Sequence, residues 1–193
     1  MPAEDEGLID LALARRAAAD DREAFDALVG RHQASVFRLA RLLTRSQEDA
    51  EDVLQQTFLS AWRHRTQFRA EASVRTWLLT IARNTALTTR TRQSREPRDS
   101  TPLDELGMRA GWGGLNPEDL AIRGERHERL TAAFVRLPAD DREILTLRDL
   151  EELSGDATAQ LLGVSLPAMK SRLHRARLAL AALVLEEDTH APR

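Results

Sequence analysis

Along most of the chain, apolar residues recur every third or fourth position, the spacing of a single buried face on an α-helix. The clearest case starts at Ser46. Ser46 and Asp49 form an S-x-x-D capping pair, and the acids of the first turn suit the positive end of the helix dipole. Ala50, Val53, Leu54, Phe58, Ala61 and Trp62 then make one stripe. A second helix follows Ser73, with Trp77, Leu78, Ile81, Ala82 and Thr85 on one side. Thr76, Thr80, Arg83, Asn84 and Leu87 occupy the other. Between Pro97 and Ile122 the pattern stops. Pro97, Pro102, Pro117, Gly107, Gly111, Gly113 and Gly114 leave no room for a long helix there. Leu103, Leu106, Met108, Trp112 and Leu115 make this stretch less polar than an inert tether; Trp112 either docks on a neighbouring domain or enters a groove in a partner.

Helical periodicity returns beyond the break. Leu137-Pro138 interrupts it, Asp140 and Glu143 offer a D-x-x-E helix start, and Ser154 is placed to cap a short helix through Leu162. Gly163-Val164-Ser165 makes a tight turn, Ser165 caps the next helix, and Pro167 is tolerated in its first turn. The expected fold is all-α, with two small helical domains. The boundaries are an acidic N-terminal segment at 1–19, a first domain at 20–95, a linker at 96–122, a second domain at 123–187 and a tail at 188–193.

Short helix, glycine-containing turn and longer basic helix make a helix-turn-helix pattern. Ala159, Leu162, Val164, Met169 and Leu173 would form its small core, extended by Ala176, Leu180 and Leu183. The opposite face carries Pro167, Ala168, Lys170, Ser171, Arg172, His174, Arg175 and Arg177. Short side chains in front admit the helix to a major groove, and cations behind them reach phosphates and guanine edges. A solvated arginine face on an ordinary bundle helix is the competing reading; the turn, the cap and four cations within residues 170–177 favour DNA.

Composition narrows the classes further. Of 193 residues, 42% are hydrophobic and 31% charged, enough to bury cores. Tyrosine is absent and phenylalanine scarce, which favours helices over strands. Without cysteine there is no disulfide framework, thiolate metal site or cysteine nucleophile. The acidic start, MPAEDEGLID, lacks the basic and apolar regions of a secretory signal. No apolar run approaches the ~20 residues that span a bilayer, so a cytoplasmic protein with no membrane insertion is expected. The net charge of −3 conceals segregation. Residues 1–30 hold eight acids against three arginines, and residues 63–95 eight arginines against Glu71 alone. Two basic patches on an acidic chain point to two polyanion contacts, although arginine as the general solvating residue fits the same numbers.

DAEDVLQQTFLSAW (Asp49–Trp62) and RTWLLTIARNTA (Arg75–Ala86) closely resemble region 2 of the extracytoplasmic-function (ECF) sigma factors of the sigma-70 family. LPADDREILTLRDLEEL and GVSLPAMKSRLHRAR resemble their region 4. The likeness runs from about Phe25 to Leu183. It implies an alternative sigma factor that binds core RNA polymerase and promoter DNA and starts transcription of a specific regulon. Asp49, Asp52, Gln55, Gln56, Thr57 and Leu59 match the surface that grips the β′ clamp helices; the β flap is the second polymerase contact implied. The loop Arg69–Val74 matches the one that holds a flipped-out base of the −10 element, and Asn84 matches a base-contacting position. Thr80 shares that helix face, and Arg75, Arg83, Arg90 and Arg92 would meet phosphates. Ser165, Pro167, Ala168, Lys170, Ser171, Arg172, His174 and Arg175 match the region that meets the −35 element. The family also commonly answers to an anti-sigma factor. Where it usually has an aromatic residue and then an isoleucine, this chain has Gly155 and Thr158, which predicts a weaker helix and looser packing. Val74 likewise stands where an aromatic is common.

Two other classes compete. A stand-alone regulator would not need the Asp49–Trp62 helix and would usually carry a sensory domain. An enzyme would need a constellation that is missing: His32, His64, His127, His174 and His190 are scattered like surface or interface histidines, with no H-E-x-x-H, phosphate loop or G-x-S-x-G. No catalytic role, metal or cofactor is expected.

Overall fold

The computed structural model describes residues 3–93 and 129–190, with side chains for 6–89 and 129–186. All the described elements are helices or helical turns, in two compact units. The first contains α1 (Ala3–Ala18), α2 (Arg22–Leu43), α3 (Gln47–Arg63), a 3₁₀ turn (Arg65–Gln67) and α4 (Val74–Gln93). The second contains α5 (described residues 129–136), α6 (Ala139–Leu145) with a π turn (Thr146–Leu150), α7 (Gly155–Leu162) and α8 (Leu166–His190). The expected linker, Trp112 included, lies outside the described residues.

In the first unit α2, α3 and α4 pack against one another, and α1 packs on α2 and α4. Leu39, Leu78, Leu79, Val36 and Val53 fill the centre, while Ala40, Ala50, Ala61, Ala82 and Ala86 let the helices approach closely. Ser46 caps α3 as its sequence predicts, the Asp49 amide donating to Ser46 Oγ at 3.0 Å, and the Thr76 amide donates to Ser73 Oγ at 3.1 Å at the start of α4. Phe25 of α2 meets Trp62 of α3 edge-on, with ring centroids 5.1 Å apart. Arg65 fastens the turn between α1 and α2. Its guanidinium stacks on Trp62 at 4.0 Å and donates to the Ala17 carbonyl, the Trp62 carbonyl and Asp20.

The acidic N-terminal stretch is not a separate segment, as its charge suggested. Asp10, Ala14 and Ala17 share a face that turns inward, so the bundle begins ahead of Asp20. Asp10 itself is buried. One carboxylate oxygen accepts from Arg31 Nε at 2.6 Å and the other faces His32 Nε2 at 2.8 Å. His32 is therefore a core residue, not a surface histidine. Burial depresses its pKa below the ordinary 6.5, with Arg75 of α4 and Arg31 pushing the same way, against the opposing pull of Asp10. The folded state thus holds fewer protons than the unfolded chain. The stability His32 contributes is complete above pH 6.5 and is lost as pH falls from there through the folded-state value. Thermal unfolding followed as pH falls below 6.5 should show this loss, and His32→Gln should flatten it. An unchanged acid limb in that variant would assign the loss to other groups.

The second unit closes around Leu137, Ile144, Leu145, Ala159, Met169, Leu173 and Ala176, with Leu162, Val164, Leu180 and Leu183 packed on this core. This is the stripe the sequence predicts, completed by α6. The D-x-x-E start at Asp140 does not form: Pro138 takes the N-cap position without a side-chain cap, and Glu143 turns into the core. After Thr146 the helix widens to a π turn. The Glu151 amide reaches the Thr146 carbonyl at 2.8 Å, which carries Glu151 and Leu153 inward and leaves Leu150 exposed. Asp149 in that turn grips Arg177 of α8 through two bonds, at 3.1 and 2.5 Å.

Candidate functional site

Three surfaces carry the predicted residues. On α3, Ala50, Val53, Thr57, Phe58 and Ala61 face the core, which leaves Asp52, Gln55, Gln56 and Leu59 on the outside. Leu59 is 47% exposed, a large apolar side chain amid polar ones. Asp49 is half-buried in the first turn. Thr57 does not belong to this surface. It is fully buried, and its hydroxyl donates to the Val53 carbonyl at 2.6 Å, because a position four after Val53 falls on the inward stripe.

On α4 the outward residues are Asn84, exposed, and Thr80 and Arg83, half-buried. Arg69 is exposed in the loop ahead of the helix, where Ala70 adopts a left-handed φ of 57°. Arg75 is half-buried and donates to Ser35 Oγ of α2 at 3.2 Å, so it braces α4 as well as adding charge. Val74 is 2% exposed at the first position of α4 and lies in the core, not on the outer face. Thr76, placed by sequence on the outer side, is also buried. Trp77 packs on Phe68 with centroids 5.1 Å apart, a structural contact as its apolar stripe predicts. The side chains of Arg90 and Arg92 lie outside the described residues.

The helix-turn-helix is built as its sequence specifies. Ser154 caps α7, accepting from the Ala157 amide at 3.1 Å. Gly163 takes φ +69°, a left-handed conformation that costs glycine little. Ser165 Oγ accepts from the Ala168 amide at 3.4 Å. Pro167, Ala168, Lys170, Ser171, His174 and Arg175 are exposed together with Ser165. Arg172 departs from this group: it is half-buried and pairs with Asp140 of α6 at 3.3 Å, bracing the fold.

The looser packing expected at Gly155 and Thr158 is not seen. Thr158 is fully buried and its hydroxyl donates to the Ser154 carbonyl at 2.9 Å, while Leu166 and Met169 crowd the space beside Gly155. Sequence reasoning missed the buried Asp10–His32 pair and the Asp140–Arg172 and Asp149–Arg177 bridges. An acid, alanine and alanine at 10, 14 and 17 was the available signal for the first; nothing local marks the bridges, which join residues 32 and 28 positions apart in the chain. Among the described residues no group of side chains is arranged to hold a metal ion, and no helix is long and apolar enough to cross a membrane.

A helical bundle followed in sequence by a helix-turn-helix defines an all-α, helix-turn-helix class of protein. Residues 28–96 match Sigma-70 region 2, and residues 127–180 match Sigma-70, region 4. The ECF RNA polymerase sigma factor SigM of Mycobacterium tuberculosis is 37% identical over 166 residues, spanning 86% of this chain and 80% of that protein. The ECF RNA polymerase sigma-E factor of Haemophilus influenzae is 36% identical over 179 residues, 89% of this chain and 93% of that one. The solved structure of CnrH in complex with the cytosolic domain of CnrY is similar at a TM-score of 0.63 and 28% identity, covering 95% of this chain and 99% of that one. The chain belongs to the ECF RNA polymerase sigma factor family.

Proposed function

We propose that this protein binds core RNA polymerase, recognises −10 and −35 promoter elements, and initiates transcription of a specific regulon in the cytoplasm. The outer face of α3 (Asp52, Gln55, Gln56 and Leu59, with Asp49 at its edge) docks on the β′ clamp helices. The loop from Arg69 and the α4 face of Thr80, Arg83 and Asn84 reads the melted −10 strand, with Arg75, Arg90 and Arg92 as backbone cations. The front of α8 enters the major groove at the −35 element through Ser165, Pro167, Ala168, Lys170, Ser171, His174 and Arg175, while its unit meets the β flap. Family membership supports this reading. The single observation that carries it is the exposed front of α8, with small residues in its first turn and cations one and two turns behind.

The protein adds no catalytic group of its own; it selects and opens promoters for the polymerase. An anti-sigma factor that covers these faces accounts for its control, in keeping with the CnrH structure, solved in complex with the cytosolic domain of CnrY. Transcription in vitro with purified core polymerase on a promoter library tests the whole reading. Arg175→Ala should lower −35-dependent transcription roughly tenfold, as loss of one good base or phosphate contact does, and reduce the salt slope of DNA binding by about one. Unchanged transcription and salt slope would mean that α8 docks through another face.

A further inference from the structure

The first turn of α7 and the first turn of α8 meet at a point where one of them has no side chain. Gly155 opens α7, and a Cβ built there would lie 3.2 Å from Leu166 Cδ1 and 3.2 Å from Met169 Cε. Both contacts are tighter than ordinary van der Waals separation, so the tips of Leu166 and Met169 would have to give by a few tenths of an ångström. Met169 is 1% exposed and cannot swing into solvent without opening the core. Thr158, one turn further along α7, is fully buried and tied to the Ser154 carbonyl, which leaves little slack on that side.

Leu166 and Met169 are three apart on α8 and therefore share a face. The residues around them, Pro167, Ala168, Lys170 and Ser171, are exposed. A helix turn moves as a body, so whatever sets the seat of Leu166 and Met169 also sets the reach of those exposed residues. We infer that Gly155 is a positioning residue for promoter reading: its missing side chain is the recess into which α8 settles, and the depth of that recess sets the pose of the −35-reading turn. The inference rests on the assignment of α8 to the −35 element. It also gives Gly155 a role other than weak helix propensity. The glycine exchanges helix stability for a closer approach of α7 and α8, as glycine does where two segments must pack without an intervening side chain.

The test uses the full-length protein reconstituted with core polymerase and a promoter duplex selected from a random pool by the wild type. The readout is the ratio of dissociation constants for a duplex with scrambled −35 bases and for the selected duplex. Gly155→Leu should cut this ratio about tenfold, the size of one lost base contact. Adding Leu166→Ala, which moves the bulk across the same interface, should restore it to within about threefold, a recovery that simple destabilisation would not give. Gly155→Ala, small enough to fold in any case, should cut the ratio about twofold. Circular dichroism reports whether each variant is folded.

A folded Gly155→Leu with an unchanged ratio overturns the inference, as does a folded double variant with no recovery. If Gly155→Leu does not fold, an unchanged ratio in Gly155→Ala overturns it and a reduced one supports it. A wild-type holoenzyme indifferent to the scrambled −35 bases would sink the docking assignment itself, a different result from an insensitive Gly155.

Discussion

Leu59→Arg is expected to abolish co-elution with core polymerase, weakening binding by about a hundredfold or more, as loss of a central interface anchor does. Leu59 stands 47% exposed on α3, flanked along that face by Asp52, Gln55 and Gln56. An apolar side chain ringed by polar ones is the arrangement of an interface centre whose rim excludes water. Arginine at that point would replace the apolar anchor with a charge that the proposed interface would have to desolvate. The fold should hardly notice. Leu59 is solvent-facing and adds little to the core, so thermal stability should stay within about 0.5 kcal/mol of wild type. Size-exclusion mixing with core polymerase and a parallel melt separate the two effects. A Leu59→Arg protein that still co-elutes would move the docking surface away from α3, whereas a protein that melts early would show Leu59 to be structural.

The largest effect on stability is expected from Asp10→Ala. Its buried carboxylate accepts from Arg31, whose side chain stays 33% exposed, and faces the buried His32. Removing the carboxylate takes away the polar group that faces the buried imidazole at 2.8 Å and the counter-charge of Arg31, a cost of about 2–3 kcal/mol after allowance for the partial exposure of Arg31. For a unit of this size that corresponds to a drop of roughly 10–20 °C in melting temperature. Asp26, exposed on α2, provides the comparison: Asp26→Ala should shift the melt by no more than about 0.5 kcal/mol. Equal melts for the two variants would show that the Asp10 carboxylate contributes nothing to the first unit. The consequence for function is direct. Arg75, beside His32, donates to Ser35 and opens the helix that bears Asn84, so loosening α1 reaches the proposed −10 face through two contacts.

Periodicity and capping residues were enough to locate α3, α4, α7 and α8, because these signals act within one or two turns of chain. Ser46, Ser73 and Ser154 each cap the helix their neighbours suggest. The buried stripe of the helix-turn-helix, from Ala159 through Ala176, was equally legible, since amphipathic spacing alone assigns an inner and an outer face. The outer faces followed, and with them most of the candidate contacts.

Where two faces meet, spacing gives no answer. Thr57 and Val74 read as members of contact surfaces, yet both are buried where the helices of the first unit pack together. An acidic run looked solvated until the α1–α2 pairing placed Arg31 and His32 against one of its carboxylates. Arg172, expected as a DNA contact, lies 3.3 Å from Asp140 of α6. Helix identity, turn chemistry and the family likeness were thus determined by the sequence by itself. Tertiary structure alone decided which charges are free to meet a partner and which are already paired. The reason is physical: helix and cap formation depend on neighbours a few residues away, but the environment of a charge depends on whatever the fold brings beside it from elsewhere in the chain.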